Sequence, residues 1–527
     1  MSAIDSALVN DQASREAQPL RWSDYLLSIL DRWRKPAFVA LLIIYLAGFN
    51  GQWQIEPDSA LYLVLGRNIA LGRGYTYHDQ PHALALPGLP YALAGIFHFF
   101  GSNALFVANG FILLCGLAAL GLTYRLVLLA FDRPRAVVIT LGVGLSHEFF
   151  RYCYEIMTDV PAMLGVMAFL AGHEAIFGQE KAASNRRPRA WDWALLIVGL
   201  AVAASTRPTT IGLIIAWIIS LLWTSLRRPG RWRLSLIALG TVAGVLVIFL
   251  LLDPRRSASR SSLESYEKVA VYQLTHDLIP RLHTVIQENV HDLFSLTAAR
   301  AVFGMPLGMG WLNAIFGTVV LVGGVALIRR QPLWGLWVAM NIVMLVLFVS
   351  HDRYIVQILP LLVIGWWLTI EGVARRFPPN LGNSIFALLL VLGIVPNTVQ
   401  CIGVILRQHD RPFLAHYKEG RFPSYLVMAN EIRRISTLQD KTLCPQKYGR
   451  ILTYFSHRNV YEENEPLGAA GGRIFVVLDP DDNELKRWLA SINVVTVGPP
   501  LLSVPRSGSA GKSPLLLLNA ASVVRSP

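Results

Sequence analysis

Apolar runs of bilayer length recur along most of the chain. A hydrocarbon core about 30 Å thick needs roughly 17–25 apolar residues per helix. Eleven segments read as spans on this basis: 37–53, 104–124, 136–152, 156–177, 191–206, 209–226, 234–252, 311–328, 333–350, 354–372 and 384–406. A further apolar stretch, Leu84–Phe100, is interrupted by Pro87 and Pro90. Ahead of the first span, Trp22, Tyr25, Leu26, Ile29, Leu30 and Trp33 recur at helical spacing and predict an interfacial helix. Beyond residue 406 the pattern changes. Phe422–Ile435 and Asn483–Ile492 have helical spacing, while Arg450–Phe455, Arg473–Leu478 and Asn493–Val497 read as short strands. Ser503–Ser513, rich in Ser and Gly, reads as loosely ordered. The expected fold is therefore a polytopic α-helical membrane protein of about 11–13 transmembrane helices with a small C-terminal α/β domain. Its divisions are an N-terminal tail (1–36), a multi-span domain (37–406) with long loops at 54–103 and 253–310, and a C-terminal domain (407–527).

Composition supports this reading. Of 527 residues, 54% are hydrophobic and only 15% charged, against roughly a quarter charged in soluble proteins. That excludes disorder and an ordinary soluble enzyme. Cys115, Cys153, Cys401 and Cys444 are scattered, with no spacing for a disulfide framework or a zinc site.

The net charge of +13 could mean nucleic-acid binding, but placement decides otherwise. Short basic clusters fall between alternate spans: Arg32/Arg34/Lys35, Arg125/Arg133/Arg135, Lys181/Arg186/Arg187/Arg189, Arg227/Arg228/Arg231/Arg233, Arg329/Arg330 and Arg375/Arg376. By the positive-inside bias these face the cytoplasm, so no nucleic-acid partner is expected. This parity requires that Leu84–Phe100 does not cross, which makes it an interfacial or re-entrant element. The N-terminus then lies inside, and the C-terminal domain and the loops 54–103 and 253–310 outside. The first span reads as an uncleaved anchor.

Ionisable groups at or within the membrane are costly and so point to function. On the inferred outer face stand Glu56-Pro57-Asp58 after the first span, Arg151-Tyr152-Cys153-Tyr154-Glu155-Ile156-Met157-Thr158-Asp159 before the fourth, Arg207 between two spans, and His351-Asp352-Arg353-Tyr354 before the tenth. Helix capping would account for Asp58 or Asp159 alone, but it leaves Glu56 and Glu155 beside them unexplained. Arg255, Arg256, Arg260, Lys268 and Arg281 in the long loop could cover an anionic headgroup or simply be solvated.

Glu56-Pro57-Asp58-Ser59-Ala60-Leu61-Tyr62, Leu71-Gly72-Arg73-Gly74-Tyr75 and Leu86-Pro87-Gly88-Leu89-Pro90-Tyr91 resemble the start of GT-C-type glycosyltransferases, in the protein O-mannosyltransferase and aminoarabinose-transferase branch. Tyr154–Asp159 is similar to that branch's second acidic loop, and Arg353-Tyr354 followed by Pro360 to its late Arg-Tyr element. Leu452–Tyr461 resembles a strand-turn-strand segment of the soluble domains of bacterial members. One departure is that Pro57 separates two acids that many members carry side by side.

The resemblance implies transfer of a sugar from a polyprenyl-phosphate donor to a lipid, glycan or protein acceptor, at the extracytoplasmic face of a bacterial inner membrane and with inversion. Asp58 is the expected general base and Glu56 the alternate. Arg207 and Arg353 are expected to contact phosphate. Glu155 and Asp159, with Tyr354 and Tyr62, are expected to position substrate. The resemblance leaves the metal requirement open: Glu56, Asp58 and Asp159 could hold a divalent cation, Mg or Mn, through oxygen. A transporter or flippase of lipid-linked sugars, an O-antigen-type polymerase or ligase, and a membrane sensor remain as competing readings. The acids gathered at one surface, rather than at mid-membrane, favour the enzyme.

Overall fold

The computed structural model describes residues 29, 31–83, 85–178, 188–227, 232–252, 278–304, 310–347, 352–410, 422–445, 448–462, 472–505 and 513–522. The expected interfacial helix ahead of the first span, and the basic residues Arg255, Arg256, Arg260 and Lys268, lie largely or wholly outside these.

Helices occupy the predicted spans. They are α1 (Arg34–Gly48), α2 (Pro57–Ala70), α3 (Gly88–Phe100), α4 (Leu105–Ala130), α5 (Arg133–Gly144), α6 (His147–Tyr152), α7 (Asp159–Phe177), α8 (Ala190–Thr206), α9 (Thr210–Arg227) and α10 (Trp232–Leu252). After these come α11 (Leu278–Asp292), a π turn at Leu293–Thr297, α12 (Ala298–Phe303), α13 (Gly310–Ala326), α14 (Pro332–Leu347), α15 (Leu359–Ala374) and α16 (Pro379–Asp410). Among the described residues, five stretches are long and apolar enough to cross a membrane: Leu105–Ala130, Asp159–Phe177, Gly310–Arg329, Arg353–Ala374 and Pro379–His409. The other apolar helices are shorter. At 13 residues, α3 is about 20 Å long and falls short of the hydrocarbon core. It buries Leu89, Leu93 and Phe97 on one face and exposes Phe99 and Phe100.

The expected span 136–152 is not one helix. The chain breaks at Leu145–Ser146 and restarts as α6. A broken helix frees carbonyls that need partners. Here Tyr45 Oη donates to Gly144 O at 2.8 Å, Cys401 Sγ to Leu145 O at 3.3 Å, and Ser146 Oγ to Ala301 O at 2.8 Å. Those partners come from α1, α16 and α12, so the break is stabilised by tertiary contacts and turns α6 toward the acidic loop after it.

Helices α7 and α8 cross with their backbones in contact. A Cβ on Gly165 would lie 2.6 Å from Ala203 N and 2.8 Å from Gly199 O. Both obstacles are backbone, so neither can rotate away. Gly165→Ala is expected to cost about 1–3 kcal/mol through overpacking. A melting temperature equal to that of the native protein would contradict this packing account.

The C-terminal domain is a five-stranded sheet in the order β4-β3-β5-β7-β6, formed by β3 (Lys441–Cys444), β4 (Asn459–Glu462), β5 (Ile474–Leu478), β6 (Val494–Val504) and β7 (Leu515–Ser522). In this numbering β1 (Thr76–Tyr77) and β2 (Gln80–Pro81) form a small hairpin earlier in the chain. Strand β3 runs parallel to β4 and β5, and β7 runs antiparallel to β5 and β6. Alternation along β5 serves two cores. Phe475 and Val477 pack under α17 (Phe422–Ile435), and Val476 packs under α19 (Asn483–Ser491).

The expected strand 450–455 is instead a helix, α18 (Gly449–Ser456). Its apolar residues divide between two neighbours. Leu452 joins the core of the C-terminal domain, whereas Ile451 and Tyr454, three apart and on one helical face, join the core of the membrane domain. A strand would have spread them to opposite faces. This helix docks the sheet domain onto α2.

Candidate functional site

Helix α2 starts where Glu56, in extended conformation, meets Pro57 at the first helical position. Ser59 secures the turn: its hydroxyl accepts from Trp53 Nε1 at 2.8 Å and from Glu56 N at 3.2 Å. Asp58 therefore projects from the first turn, with its backbone held on both sides.

Each Asp58 oxygen meets one arginine. Arg353 Nη1 donates to Oδ2 at 2.7 Å, and Arg450 Nη1 to Oδ1 at 2.7 Å. The carboxylate keeps 30% of its surface exposed. Burial alone would raise its pKa, but the two guanidiniums outweigh burial and hold it below the usual carboxylate range. Glu56 shifts the other way. Burial raises it, with the negative charge of Asp58 adding to the effect, and the attraction of Arg151 and Arg353 does not compensate.

The second acidic loop leads into α7. Arg151 Nε donates to Glu155 Oε1 at 2.8 Å. Glu155 is buried, and that burial pushes its carboxyl up to about 7, against the pull of Arg151 and with the help of Glu56 and Asp159. Four residues on, Asp159 is fully buried at the start of α7 and ion-paired with Arg207, which follows the last turn of α8. The Arg207 guanidinium lies 4.7 Å from the Tyr354 ring centroid, and that of Arg353 lies 5.1 Å from the same ring. Arg353 Nη2 also donates to Tyr354 Oη at 3.2 Å. Tyr62 is half-buried one turn along α2 from Asp58. The eight residues expected from the sequence thus form one constellation.

Arg450 is the main addition, contributed by the C-terminal domain. Two hydrogen bonds and a set of rings position its helix. Arg67 Nη1 donates to Tyr454 O at 3.0 Å, and the Trp53 ring lies 4.9 Å from Tyr454 and 5.6 Å from Phe455. Glu462 Oε1 accepts from the Arg450 backbone N at 3.2 Å. The hairpin turn adds a second anchor, through Asn459 Nδ2 to Asp79 Oδ2 at 2.8 Å. Glu148 is a second addition. It is buried in α6, with Oε1 3.6 Å from Arg300 Nε. An acid inside an expected span was itself a signal of function.

The opposite end of the bundle is basic. Asp192, near the start of α8, pairs with Arg125 at 2.8 Å, and Glu371 pairs with Arg135 at 2.6 Å. Because α8 carries Asp192 at one end and Arg207 just past the other, the basic loops and the acidic site lie at opposite ends.

The donor set does not suit a cation. Asp58 and Asp159 each face guanidinium groups, and among the described residues no three His, Cys, Asp or Glu side chains gather for an ion. No catalytic step is therefore routed through Mg or Mn.

The Glu155 environment has a measurable consequence. A glutamate in the unfolded chain releases its proton near 4.5, whereas Glu155 keeps its proton up to about 7. Between those values the folded state binds more protons, so stability falls as pH rises through this window. The whole loss is on the order of 3 kcal/mol. Glu155→Gln should flatten the decline of melting temperature between pH 5 and 7. Equal slopes in both proteins would assign the decline to another group.

Residues 79–252 match the family model described as dolichyl-phosphate-mannose-protein mannosyltransferase. No curated protein matches the sequence. Among solved structures, apo ArnT from Cupriavidus metallidurans aligns over 92% of this chain and 97% of its own, with 15% identity and a TM-score of 0.53. The same protein bound to undecaprenyl phosphate aligns over 92% and 98%, with 14% identity and a TM-score of 0.52. The apo oligosaccharyltransferase of Archaeoglobus fulgidus covers 84% of this chain and 69% of its own, with 12% identity and a TM-score of 0.52. The chain thus shares the fold of these membrane enzymes, and residues 79–252 carry the likeness to the mannosyltransferase family.

Proposed function

We propose that the protein transfers a sugar from a polyprenyl-phosphate donor to an acceptor hydroxyl at the extracytoplasmic face of a bacterial inner membrane, with inversion at the anomeric carbon. The observation that carries this reading is the meeting of Asp58 and Glu56 with Arg353, Arg450 and Arg207 at one end of an apolar helical bundle. The undecaprenyl phosphate bound by the similar ArnT supports a prenyl-phosphate donor.

Asp58 accepts the acceptor's proton as the acceptor oxygen bonds to the anomeric carbon. The bond from that carbon to the phosphate oxygen breaks, and its electron pair leaves with the polyprenyl phosphate. Arginines at the site stabilise that charge where it develops. Arg207 and Arg353 contact the phosphate, and Glu155 and Asp159, with Tyr354 and Tyr62, position substrate.

The test is a transfer assay on purified protein in lipid, with a panel of polyprenyl-phosphate sugars. Release of polyprenyl phosphate coupled to a glycosylated acceptor is the expected result. Movement of the intact donor across the bilayer without release would instead identify a flippase.

A further inference from the structure

The C-terminal domain does more than cover the membrane domain: it supplies half of an anion clamp. Arg353 approaches one oxygen of Asp58 and Arg450 the other, both at 2.7 Å, and the three groups stay partly open to solvent at 21%, 22% and 30%. Two guanidiniums converging on one small planar anion form the donor arrangement that also suits phosphate oxygens. In this state the occupant is the carboxylate that the reaction needs as a base, and its oxygens are engaged by those donors. A carboxylate so engaged keeps a lone pair on each oxygen but is a weakened base until something else occupies the arginines.

We propose that Arg450 is a ligand of the donor's phosphate, and that phosphate entry draws Arg450 and Arg353 off Asp58, freeing the base only when donor is present. This rests on the assignment of Asp58 as base and of a prenyl-phosphate donor. The phosphate carries more acceptor oxygens than the carboxylate, so it competes for the same guanidiniums. Arg450 can make the exchange without moving its helix. Tyr454 O is held by Arg67, and the Arg450 backbone N by Glu462. The side chain alone shifts.

The experiment measures binding of undecaprenyl phosphate and of undecaprenol, the same chain without phosphate, to purified full-length protein in detergent micelles. Native protein is expected to prefer the phosphate at least tenfold. Arg450→Ala should lose about tenfold for the phosphate and nothing for the alcohol. Asp58→Asn, which removes the competing charge, should bind the phosphate several-fold tighter, and that gain should vanish when combined with Arg450→Ala. A merely structural Arg450 would not produce this coupling. Should Arg450→Ala melt early, Arg450→Lys decides: it keeps the charge but loses the fork, and a several-fold loss of phosphate preference is expected. A native preference left intact in every Arg450 variant overturns the role of Arg450 and leaves the donor assignment standing. Equal binding of phosphate and alcohol by native protein overturns both.

Discussion

Asp58→Asn is expected to lower the rate of sugar transfer by about 10²–10⁴-fold, the range typical of a lost general base. The variant should remain folded. The amide oxygen that replaces one carboxylate oxygen still accepts from an arginine, and the cap residues Glu56 and Ser59 are untouched. The loss should fall mainly on kcat, since a base acts in the transition state rather than in ground-state binding. Glu56→Gln is the necessary companion, because Glu56 is the other carboxyl at this helix start and is raised rather than lowered. If Asp58→Asn retains full rate and Glu56→Gln does not, the base is Glu56, and the arginine clamp on Asp58 is a scaffold.

Arg207→Ala is expected to be the most destabilising single change at the site. Asp159 has no exposed surface, and Arg207, its ion-pair partner, is itself 6% exposed. Removing one partner of such a pair strands a buried charge, at a cost of about 3–5 kcal/mol. The same change removes the cation over the Tyr354 ring. Thermal denaturation in detergent at neutral pH would register the loss as a large fall in melting temperature. Asp159→Asn combined with Arg207→Gln should recover much of it, because no lone charge then remains. A double variant as unstable as the single one would show that the two charges are not coupled.

Much of this architecture was legible in the chain because the bilayer imposes one length on every span. The runs that became α7 and α8 are bounded within three residues of their observed ends, while α4 and α16 extend further than their apolar runs. The acids were legible for the related reason that a chain so poor in charge seldom leaves carboxylates beside its apolar runs without use. Two elements were misread, both for want of long-range information. Nothing local to Gly144-Leu145-Ser146 announces a break, since the groups that satisfy its carbonyls, Tyr45 and Cys401, lie 99 and 256 residues away. The run from Arg450 to Phe455 is equally apolar as strand or helix. Only its division between two hydrophobic cores, Leu452 in one and Ile451 with Tyr454 in the other, selects the helix. Misreading that segment concealed Arg450, because a residue in an isolated soluble strand has no reason to reach a membrane-domain carboxylate.

The distance along the chain between Asp58 and its partners sets an order of events during synthesis. Arg353 follows Asp58 by 295 residues and Arg450 by 392. At translation rates of about 5–20 residues per second, Arg450 leaves the ribosome roughly 20–80 s after Asp58. For that interval the growing chain has Asp58 in place without the α18 residue that meets its second oxygen. Premature termination between the end of α16 and the start of α18 would leave the membrane helices complete but lacking one jaw of the clamp. Quality control that senses the docked C-terminal domain would therefore also be sensing whether the reaction centre has been finished.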